Sequence, residues 1–177
     1  MTAPKGYADA ALTIAGWAAI LAPLVGLALK FVSAGWLLVV MVWTFPVWIL
    51  GYALVVVAAA HGMLRRKGAL RAPDAVRRRA VIWALAASIG VVLVGLTIID
   101  GGDTAESIGS ALTRMFGADG DSALADTSSA IVAPAVAAWL IGSIALVVEW
   151  IAALVRRRRQ SKRVAPPVAP PVLPPAR

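Results

Sequence analysis

Long apolar segments alternate with short polar ones along this chain. Four segments are long enough to be membrane spans, and they cover residues 10–29, 35–61, 80–99 and 130–155. A helix rises about 1.5 Å per residue, so about 20 apolar residues cross the roughly 30 Å hydrocarbon core of a bilayer. The third segment has no charged side chain and the fourth has only Glu149. The pattern therefore predicts four transmembrane segments.

These spans are predicted to be helices rather than strands. An unpaired backbone amide is costly in hydrocarbon, and a helix pairs all its amides internally. Strands of alternating polarity, which a membrane barrel requires, are absent from the sequence. The short connection 30–34 makes the first two helices antiparallel neighbours. We therefore predict an all-α integral membrane protein with four transmembrane helices in an antiparallel bundle.

Composition favours a membrane protein over a soluble one. Hydrophobic residues make up 60% of the chain, charged residues 15%, and the mean hydropathy is +0.84. A soluble domain is about half apolar and about a quarter charged. This chain therefore has too few polar side chains to cover a water-soluble globule.

Basic residues are distributed unevenly between the two sides of the predicted membrane. Of the 17 lysines and arginines, only Lys30 and Arg114 fall on one side. Basic residues that flank membrane spans concentrate in the cytoplasm, so the other side is assigned to the cytoplasm of a cell membrane. The cytoplasmic segments in this prediction are 1–9, 62–79 and 156–177, and the outside segments are 30–34 and 100–129.

The net charge of +8 is compatible with binding to nucleic acid or with a role at the membrane, and its distribution along the chain favours the membrane. The basic clusters set the orientation in the membrane and attract anionic lipid head groups at the cytoplasmic face, so nucleic acid is not an expected partner. The expected lipid contacts are Arg65, Arg66, Lys67, Arg77, Arg78, Arg79, Arg156, Arg157, Arg158 and Arg159. Trp83 and Trp150 lie near the same boundary and are predicted interface anchors.

The first span has some features of a secretory signal. Lys5 precedes it and "VSA" at residues 32–34 has the spacing of a cleavage site. Its apolar stretch of about 20 residues exceeds the roughly 7–15 of a signal core. We therefore expect a retained helix, with cleavage as the alternative.

The second span contains a proline near its middle. Pro46 lacks a backbone donor and clashes with the preceding turn, so a kink is predicted there. Trp43, Trp48 and Tyr52 surround this position and are expected to pack between helices.

Small residues recur at four-residue spacing in three of the helices. Such rows allow helix backbones to approach closely in lipid, where no hydrophobic effect drives association. The rows are Ala18, Ala22 and Gly26; Ala86 and Gly90; and Ala138 and Gly142.

The outside connection 100–129 is acidic and contains one predicted short helix, residues 104–116. Asp103 is placed to cap it and Gly117 to end it. An apolar face combines Ile108, Leu112, Met115 and Phe116. We expect the helix to cap the bundle, with a position along the outer membrane surface as the alternative. The acidic spacing does not match a calcium-binding loop, so no metal is predicted.

The end of the chain is rich in proline. The stretch "VAPPVAPPVLPPAR" repeats a diproline and is predicted to be extended and disordered, as polyproline II. A docking peptide for a cytoplasmic partner is the alternative.

Glu149 is the one acidic residue inside a predicted span, where an unpaired charge is costly. Its own helix has alanines three and four residues later, so a partner is sought on another helix. The first candidate is His61, and Arg65 or Arg79 are substitutes. The pair is interpreted as an interhelical contact. A proton- or ion-handling site and a Glu149 that faces head groups are the alternatives.

Catalytic chemistry finds little support in the residue types. The chain has no cysteine and one histidine, and it contains no phosphate-binding glycine loop. We predict no cofactor and no catalytic residue. The expected function is a non-enzymatic accessory, assembly or scaffold subunit that binds a membrane protein or a second copy. The alternative is a small channel, transporter component or holin-like permeabiliser. Abundant alanine and arginine indicate a GC-rich bacterial source.

Overall fold

The computed structural model describes residues 5–71, 73–103, 108–118 and 122–163. Helices account for most of this part of the chain, with one isolated antiparallel bridge between Asp100 and Gly109. The helices are α1 (Lys5–Val32), α2 (Trp36–Trp43), α3 (Phe45–Ala58), a π-helix (Ala59–Leu64), α4 (Asp74–Thr97), α5 (Ala111–Met115) and α6 (Ala123–Arg163).

Four helical segments are long and apolar enough to cross a bilayer. They are Asp9–Val32, Phe45–Leu64, Asp74–Thr97 and Ala123–Ser161. The prediction of an all-helical chain with four helices of spanning length is confirmed for the described residues. By the length and hydropathy of these helices, the chain is a multi-pass membrane protein.

The helices extend beyond the predicted spans. Helix α4 begins at Asp74 and includes three arginines before the apolar segment, and α6 continues through four arginines to Arg163. Alanine, arginine and glutamine have high helix propensity, so the helix continues where the hydrophobic pattern has already ended. Hydropathy therefore locates the spans but not the helix ends.

The predicted second helix, 35–61, is interrupted rather than continuous. Thr44, with φ −92° and ψ 9°, separates α2 from α3, and the last turn is a π-helix. The interruption precedes Pro46, so the proline lies in the first turn of α3, where no backbone donor is required. The kink predicted at Pro46 is therefore a break at Thr44.

Aromatic side chains satisfy backbone groups beside this break. Trp48 Nε1 donates to the Met41 carbonyl at 2.7 Å, and the Tyr52 hydroxyl donates to the Ile20 carbonyl of α1 at 2.8 Å. Trp43, by contrast, is 83% exposed. The expectation that Trp43 packs between helices of the chain is therefore wrong, because α2 buries none of its residues.

Helix α4 makes the most extensive contacts, with α6 on one side and α1 on the other. The α1–α4 contact is close at Gly26, where an added Cβ would lie 2.7 Å from the Val91 carbonyl oxygen. The α4–α6 contact is close at Gly90 and Gly142, where added Cβ atoms would lie 2.5 Å from the Trp139 nitrogen and 2.6 Å from the Ala87 nitrogen. These glycines belong to the predicted rows of small residues.

The connection between the π-helix and α4 is folded against the helix ends. Leu70 is fully buried, and its amide donates to the Gly62 carbonyl at 3.0 Å. Arg157 of α6 donates to the carbonyls of Lys67 and Gly68 at 2.7 and 2.6 Å. The basic connection is therefore held to α6 by backbone contacts.

The short helix of the acidic connection is smaller than predicted. Within the described residues α5 covers only Ala111–Met115, and residues 104–107 of the predicted helix lie outside them. Ser110 rather than Asp103 is the cap, because pairing of Gly109 with Asp100 keeps the chain extended up to Ser110. Gly117 has φ +63° directly after this helix, as its predicted role requires.

Helix α5 buries its polar side rather than the predicted apolar face. Ser110, Ala111 and Thr113 are fully buried, whereas Phe116 is 73% exposed, and Ile108 and Met115 are exposed as well. Hydrogen bonds among Ser110, Thr113 and Ser128 of α6 satisfy the buried hydroxyls. Burial of this polar face therefore costs little free energy. The prediction that the apolar face of the helix packs on the bundle is wrong.

The predicted proline-rich tail, residues 164–177, lies outside the described residues. The basic part of the predicted cytoplasmic segment, from Arg156 to Arg163, is instead the last two turns of α6.

Candidate functional site

Charged residues meet at both ends of the helices. We call Arg79, Glu149 and Arg156 the basic-end cluster, because they lie beside the arginine-rich segments. We call Lys30 and Asp100 the acidic-end cluster, because they lie beside the acidic connection. Each cluster joins helices that are distant in sequence.

Glu149 is paired in the basic-end cluster. Arg79 Nε of α4 donates to Glu149 Oε1 of α6 at 2.6 Å, and Arg79 Nη2 lies 3.5 Å from Oε2. Arg156 Nη2 lies 3.6 Å from the same Oε2. Two guanidinium groups therefore offset the one carboxylate, so its charge is accommodated at the edge of the span.

Arg156 was not expected to reach Glu149, because it is seven residues later in the same helix. Side chains on a helix lean toward its N-terminus, which directs Arg156 back toward Glu149. An arginine side chain is long enough to span two turns while its charged end approaches the carboxylate. The expectation that this helix offers no cationic neighbour is therefore wrong.

The predicted contact between Glu149 and His61 is not formed. His61 is exposed on the π-helix, and Arg65 is exposed beyond it. A π-helix pairs residues five apart, so side chains along Ala59–Leu64 do not follow the regular α-helical spacing on which the predicted contact depends. The structure instead brings the substitute partner Arg79 to Glu149.

A double-mutant cycle separates these two partners of Glu149. Glu149→Gln and Arg79→Ala should each lower the free energy of unfolding by about 1 kcal/mol, and together by less than the sum, because both remove one charge-assisted contact. Glu149→Gln and His61→Ala should be additive. Unfolding in mixed detergent and SDS measures these effects, and additivity of the arginine pair would contradict the contact.

Other basic residues of this end are also held within the chain. Arg77 lies 2.8 Å from Asp74 and 3.7 Å from Asp9, and Arg71 lies 3.4 Å from Asp9. Asp9 therefore joins the start of α1 to the start of α4. The predicted lipid contacts Arg77, Arg79, Arg156 and Arg157 all have partners within the protein.

The predicted interface anchors pack on the core. Trp83 and Trp150 are partly buried against the apolar cluster that contains Leu146. A Cβ added to Gly62 would lie 3.0 Å from Trp150 Cδ1, so Gly62 allows this indole to approach the π-helix. Both tryptophans therefore contribute to helix packing.

The acidic-end cluster is a buried ion pair. Lys30 Nζ lies 2.9 Å from Asp100 Oδ2, and the two side chains are 5% and 3% exposed. Lys30 Nζ also donates to the Ser33 carbonyl at 2.9 Å, and Asp100 Oδ1 accepts from the Leu37 amide at 3.0 Å. The pair therefore joins the end of α1, the beginning of α2 and the connection that follows α4.

The sequence contains a signal for this pair. Lys30 directly follows the first apolar segment and Asp100 directly follows the third, and both fall on the same predicted side. Two opposite charges at the same boundary of neighbouring helices are positioned to pair.

The pKa of Asp100 determines how this pair responds to acid. Burial raises the pKa of this carboxyl, but hydrogen bonds from Lys30, Leu37 and Gly101 and the charge of Lys30 together outweigh burial, so the pKa lies below its ordinary value of 3.8. A carboxyl with a lowered folded-state pKa stabilises the fold above its unfolded-state pKa. That contribution is lost as the pH falls through the folded-state pKa.

The contribution of Asp100 to stability should therefore be constant between pH 7 and pH 5 and should decline below about pH 4. Thermal unfolding in detergent across this range measures the effect. The Asp100→Asn variant is the control, because its amide does not titrate. An equal acid-induced loss in both proteins would contradict the assignment.

Both clusters consist of ion pairs. Across residues 5–71, 73–103, 108–118 and 122–163, no group of three or more His, Cys, Asp or Glu side chains is placed to hold a metal. Each carboxylate of the two clusters has a cationic partner. The geometry is that of contacts that hold helices together.

Comparison with protein-family models, with curated proteins and with solved structures finds no match for this chain.

Proposed function

We propose that this protein is a non-enzymatic accessory, assembly or scaffold subunit of a cell membrane. The observation that supports the proposal is the uncovered surface of α2 and α3. Helix α2 buries none of its side chains within the chain, and α3 buries only Val55 and Ala58. A membrane helix with so few contacts in its own chain is available to a partner.

The rest of the chain uses its close contacts internally. Helix association in lipid depends on close packing and on polar contacts rather than on the hydrophobic effect. Helices α1, α4 and α6 have both, through Gly26, Gly90 and Gly142 and through the Asp9–Arg77 and Arg79–Glu149 pairs. Within the chain, helix α3 has mainly the hydrogen bond of Tyr52 and the contacts of its last turns, where Val55 and Ala58 are buried. The proposed binding surface is therefore α2 together with the first half of α3, which follows α2 directly in the chain.

Co-purification in a mild detergent tests this proposal. The protein should be recovered in a complex larger than a monomer, and large-to-small changes on α2 and α3 should release the partner. A solitary monomer under these conditions would contradict the proposal. Dye leakage from vesicles that contain the purified protein would instead favour the channel or holin-like alternative.

We also propose that the basic end faces the cytoplasm, where anionic lipids bind its free cations. Six basic side chains at this end are exposed and have no partner among the described residues. They are Arg65, Arg66, Lys67, Arg78, Arg158 and Arg159. The contribution of each near an anionic surface is about 1 kcal/mol. The remaining arginines of the predicted lipid set have structural contacts.

Adjacent arginines provide a matched test of lipid binding. Arg158→Gln with Arg159→Gln should reduce the thermal stabilisation that phosphatidylglycerol gives over phosphatidylcholine, because two head-group contacts are removed. Arg157→Gln should lower stability in both lipids, because it releases the carbonyls of Lys67 and Gly68. The assignment would be contradicted if phosphatidylglycerol stabilised the double variant over phosphatidylcholine as much as it stabilises the unchanged protein.

A further inference from the structure

The first two arms of the chain have unequal lengths. The first arm is α1, and the second arm is formed by α2, α3 and the π-helix. The arms touch at one end, where a Cβ added to Gly16 would lie 3.2 Å from Met63 Cβ. Val32, the end of α1, lies 16 residues after Gly16, whereas Trp36, the start of α2, lies 27 residues before Met63. At about 1.5 Å per residue these lengths are about 24 Å and about 40 Å.

The other ends of the two arms are held together. Asp100 Oδ1 accepts a hydrogen bond from the Leu37 amide at 3.0 Å, and Asp100 Oδ2 lies 2.9 Å from Lys30 Nζ. Only residues 33–35 connect α1 to α2. The start of α2 is therefore fixed beside the end of α1. The excess length of the second arm has to be taken up along α2 and α3.

Helix α3 takes up part of the excess because it is inclined to α1. The Tyr52 hydroxyl donates to the Ile20 carbonyl at 2.8 Å, although Tyr52 lies 11 residues before Met63 and Ile20 lies only four residues after Gly16. The tyrosine side chain covers part of this difference, and the inclination of α3 covers the rest. The start of α3 is therefore displaced sideways from α1, and α2 bridges the gap up to the break at Thr44.

We propose that α2 is inclined within the leaflet beside the acidic-end cluster, where phospholipids cover it in the isolated protein. The segment of spanning length in this arm is Phe45–Leu64, which does not include α2. Helix α2 runs from the end of α1 to the displaced start of α3 and stays close to the head groups. The inference goes beyond the proposed function, because it places the uncovered surface within one leaflet and names the lipid that meets it.

Tryptophans at both ends of α2 support this position. Trp36 is 58% exposed and Trp43 is 83% exposed. Exposed tryptophans of membrane proteins are enriched at the boundary between hydrocarbon and head groups. An upright α2 would place Trp43 about 10 Å deeper than Trp36, so only one of them would lie at that boundary. An inclined α2 brings both indoles to the same boundary.

The break at Thr44 supports the same position. Residues 42–47 are all exposed on the surface of the chain, and the helix is interrupted among them. Interrupted backbone that faces lipid is not tolerated within hydrocarbon, because its polar groups find no partner there. Near the head groups water satisfies these groups. The break therefore belongs at the membrane boundary, which an inclined α2 provides.

Spin labels on single cysteines measure these depths, because the chain has no native cysteine. The labelled protein is purified and placed in phosphatidylcholine vesicles, where oxygen and a water-soluble nickel chelate report depth by opposite gradients. Val39→Cys and Val47→Cys should both be shallow. Their depths should differ by less than half of the roughly 12 Å that an upright helix gives over eight residues. Leu54→Cys should lie much deeper.

Ile89→Cys is the matched reference, because Ile89 is exposed near the middle of the apolar part of α4. A Val47→Cys label as deep as the Ile89→Cys label would overturn the proposal, as would a depth difference between Val39→Cys and Val47→Cys of more than half the upright value. Labels on α2 that neither oxygen nor the chelate reaches would show that protein covers this helix, and would overturn the assignment to lipid.

Charge tolerance provides a second test that needs no label. A charged side chain is costly at the bilayer centre and much less so near the head groups. Val47→Arg should therefore give a several-fold higher yield of folded, membrane-inserted protein than Leu54→Arg, with helical content measured by circular dichroism. Both valine and leucine are exposed in the chain, so neither change disturbs the core. Equal yields of the two variants would overturn the proposed depth.

These outcomes are separate from those of the proposed function. The depths are measured on the isolated protein in lipid, whereas the proposed function is tested by co-purification. A deep Val47 together with a recovered complex would overturn the inclined α2 and leave the role in assembly intact. Shallow labels on a protein that co-purifies with nothing would support the inclined α2 and contradict the role in assembly.

Discussion

Replacing Lys30 with methionine is expected to destabilise the protein by about 3–5 kcal/mol, the usual cost when one partner of a buried ion pair is removed. Methionine has a similar length and keeps the apolar contacts of the lysine stem. It leaves the Asp100 carboxylate, 3% exposed, without a counter-charge. The amides of Leu37 and Gly101 remain as donors, but they do not neutralise the charge.

Unfolding by SDS in mixed micelles, followed by circular dichroism, measures this loss. Lys67→Met is the matched control, because Lys67 is an exposed lysine whose side chain has no partner among the described residues, and it should change stability by less than about 0.5 kcal/mol. The double variant Lys30→Met with Asp100→Asn should be more stable than the sum of the two changes implies. Equal effects of Lys30→Met and Lys67→Met would contradict the buried pair.

Replacing Gly90 with alanine is expected to lower stability by about 1–3 kcal/mol, the range found when a methyl group is forced into a packed contact. The new Cβ would lie 2.5 Å from the Trp139 nitrogen and 2.7 Å from the Ala135 carbonyl oxygen. Both atoms belong to the backbone of α6 and cannot rotate away. Helices α4 and α6 would have to separate along their closest contact.

The same substitution at Gly51 is the control, because its expected effect on stability is neutral or favourable rather than unfavourable. Gly51→Ala meets nothing within 4 Å, so the gain in helix propensity should leave stability unchanged or raise it by up to about 1 kcal/mol. Unfolding at low protein concentration in detergent compares the two variants as monomers. A loss at Gly51 as large as that at Gly90 would show that these glycines do not differ in packing.

Hydropathy alone was sufficient to find the four spans, because membrane-spanning length requires a long run of apolar residues. Hydropathy did not locate the helix ends, because Arg77–Arg79 and Arg156–Arg159 are helical although they lie outside the apolar segments. The chemistry of proline predicts an irregularity in the helix at Pro46. In the structure the break lies at Thr44, and Pro46 falls in the first turn of α3.

The charged contacts were harder to predict than the spans. The sequence indicates that Glu149 needs a partner, but His61 lies exposed on the π-helix and Arg79 pairs with the carboxylate instead. A hydrogen-bond pattern of this kind has no simple sequence signature. The Lys30–Asp100 pair could have been found from two charges at one membrane boundary, because each directly follows an apolar segment.

Helix α5 shows where periodicity is a poor guide. The apolar stripe that includes Phe116 was expected to face the bundle, yet Ser110 and Thr113 do so. Short helices have little apolar area, and a few mutually satisfied hydroxyls decide which face is buried. Patterns over fewer than two turns therefore carry less information than the long spans.

The arrangement of the chain across the membrane is the basis of every proposal made above, and cysteine labelling tests it most directly. Single variants Lys67→Cys and Ala118→Cys are treated with a membrane-impermeant maleimide in intact cells. We expect Ala118→Cys to be labelled at once and Lys67→Cys only after the cells are permeabilised. Labelling of both positions in intact cells, or of neither, would place them on one side of the membrane and contradict the account.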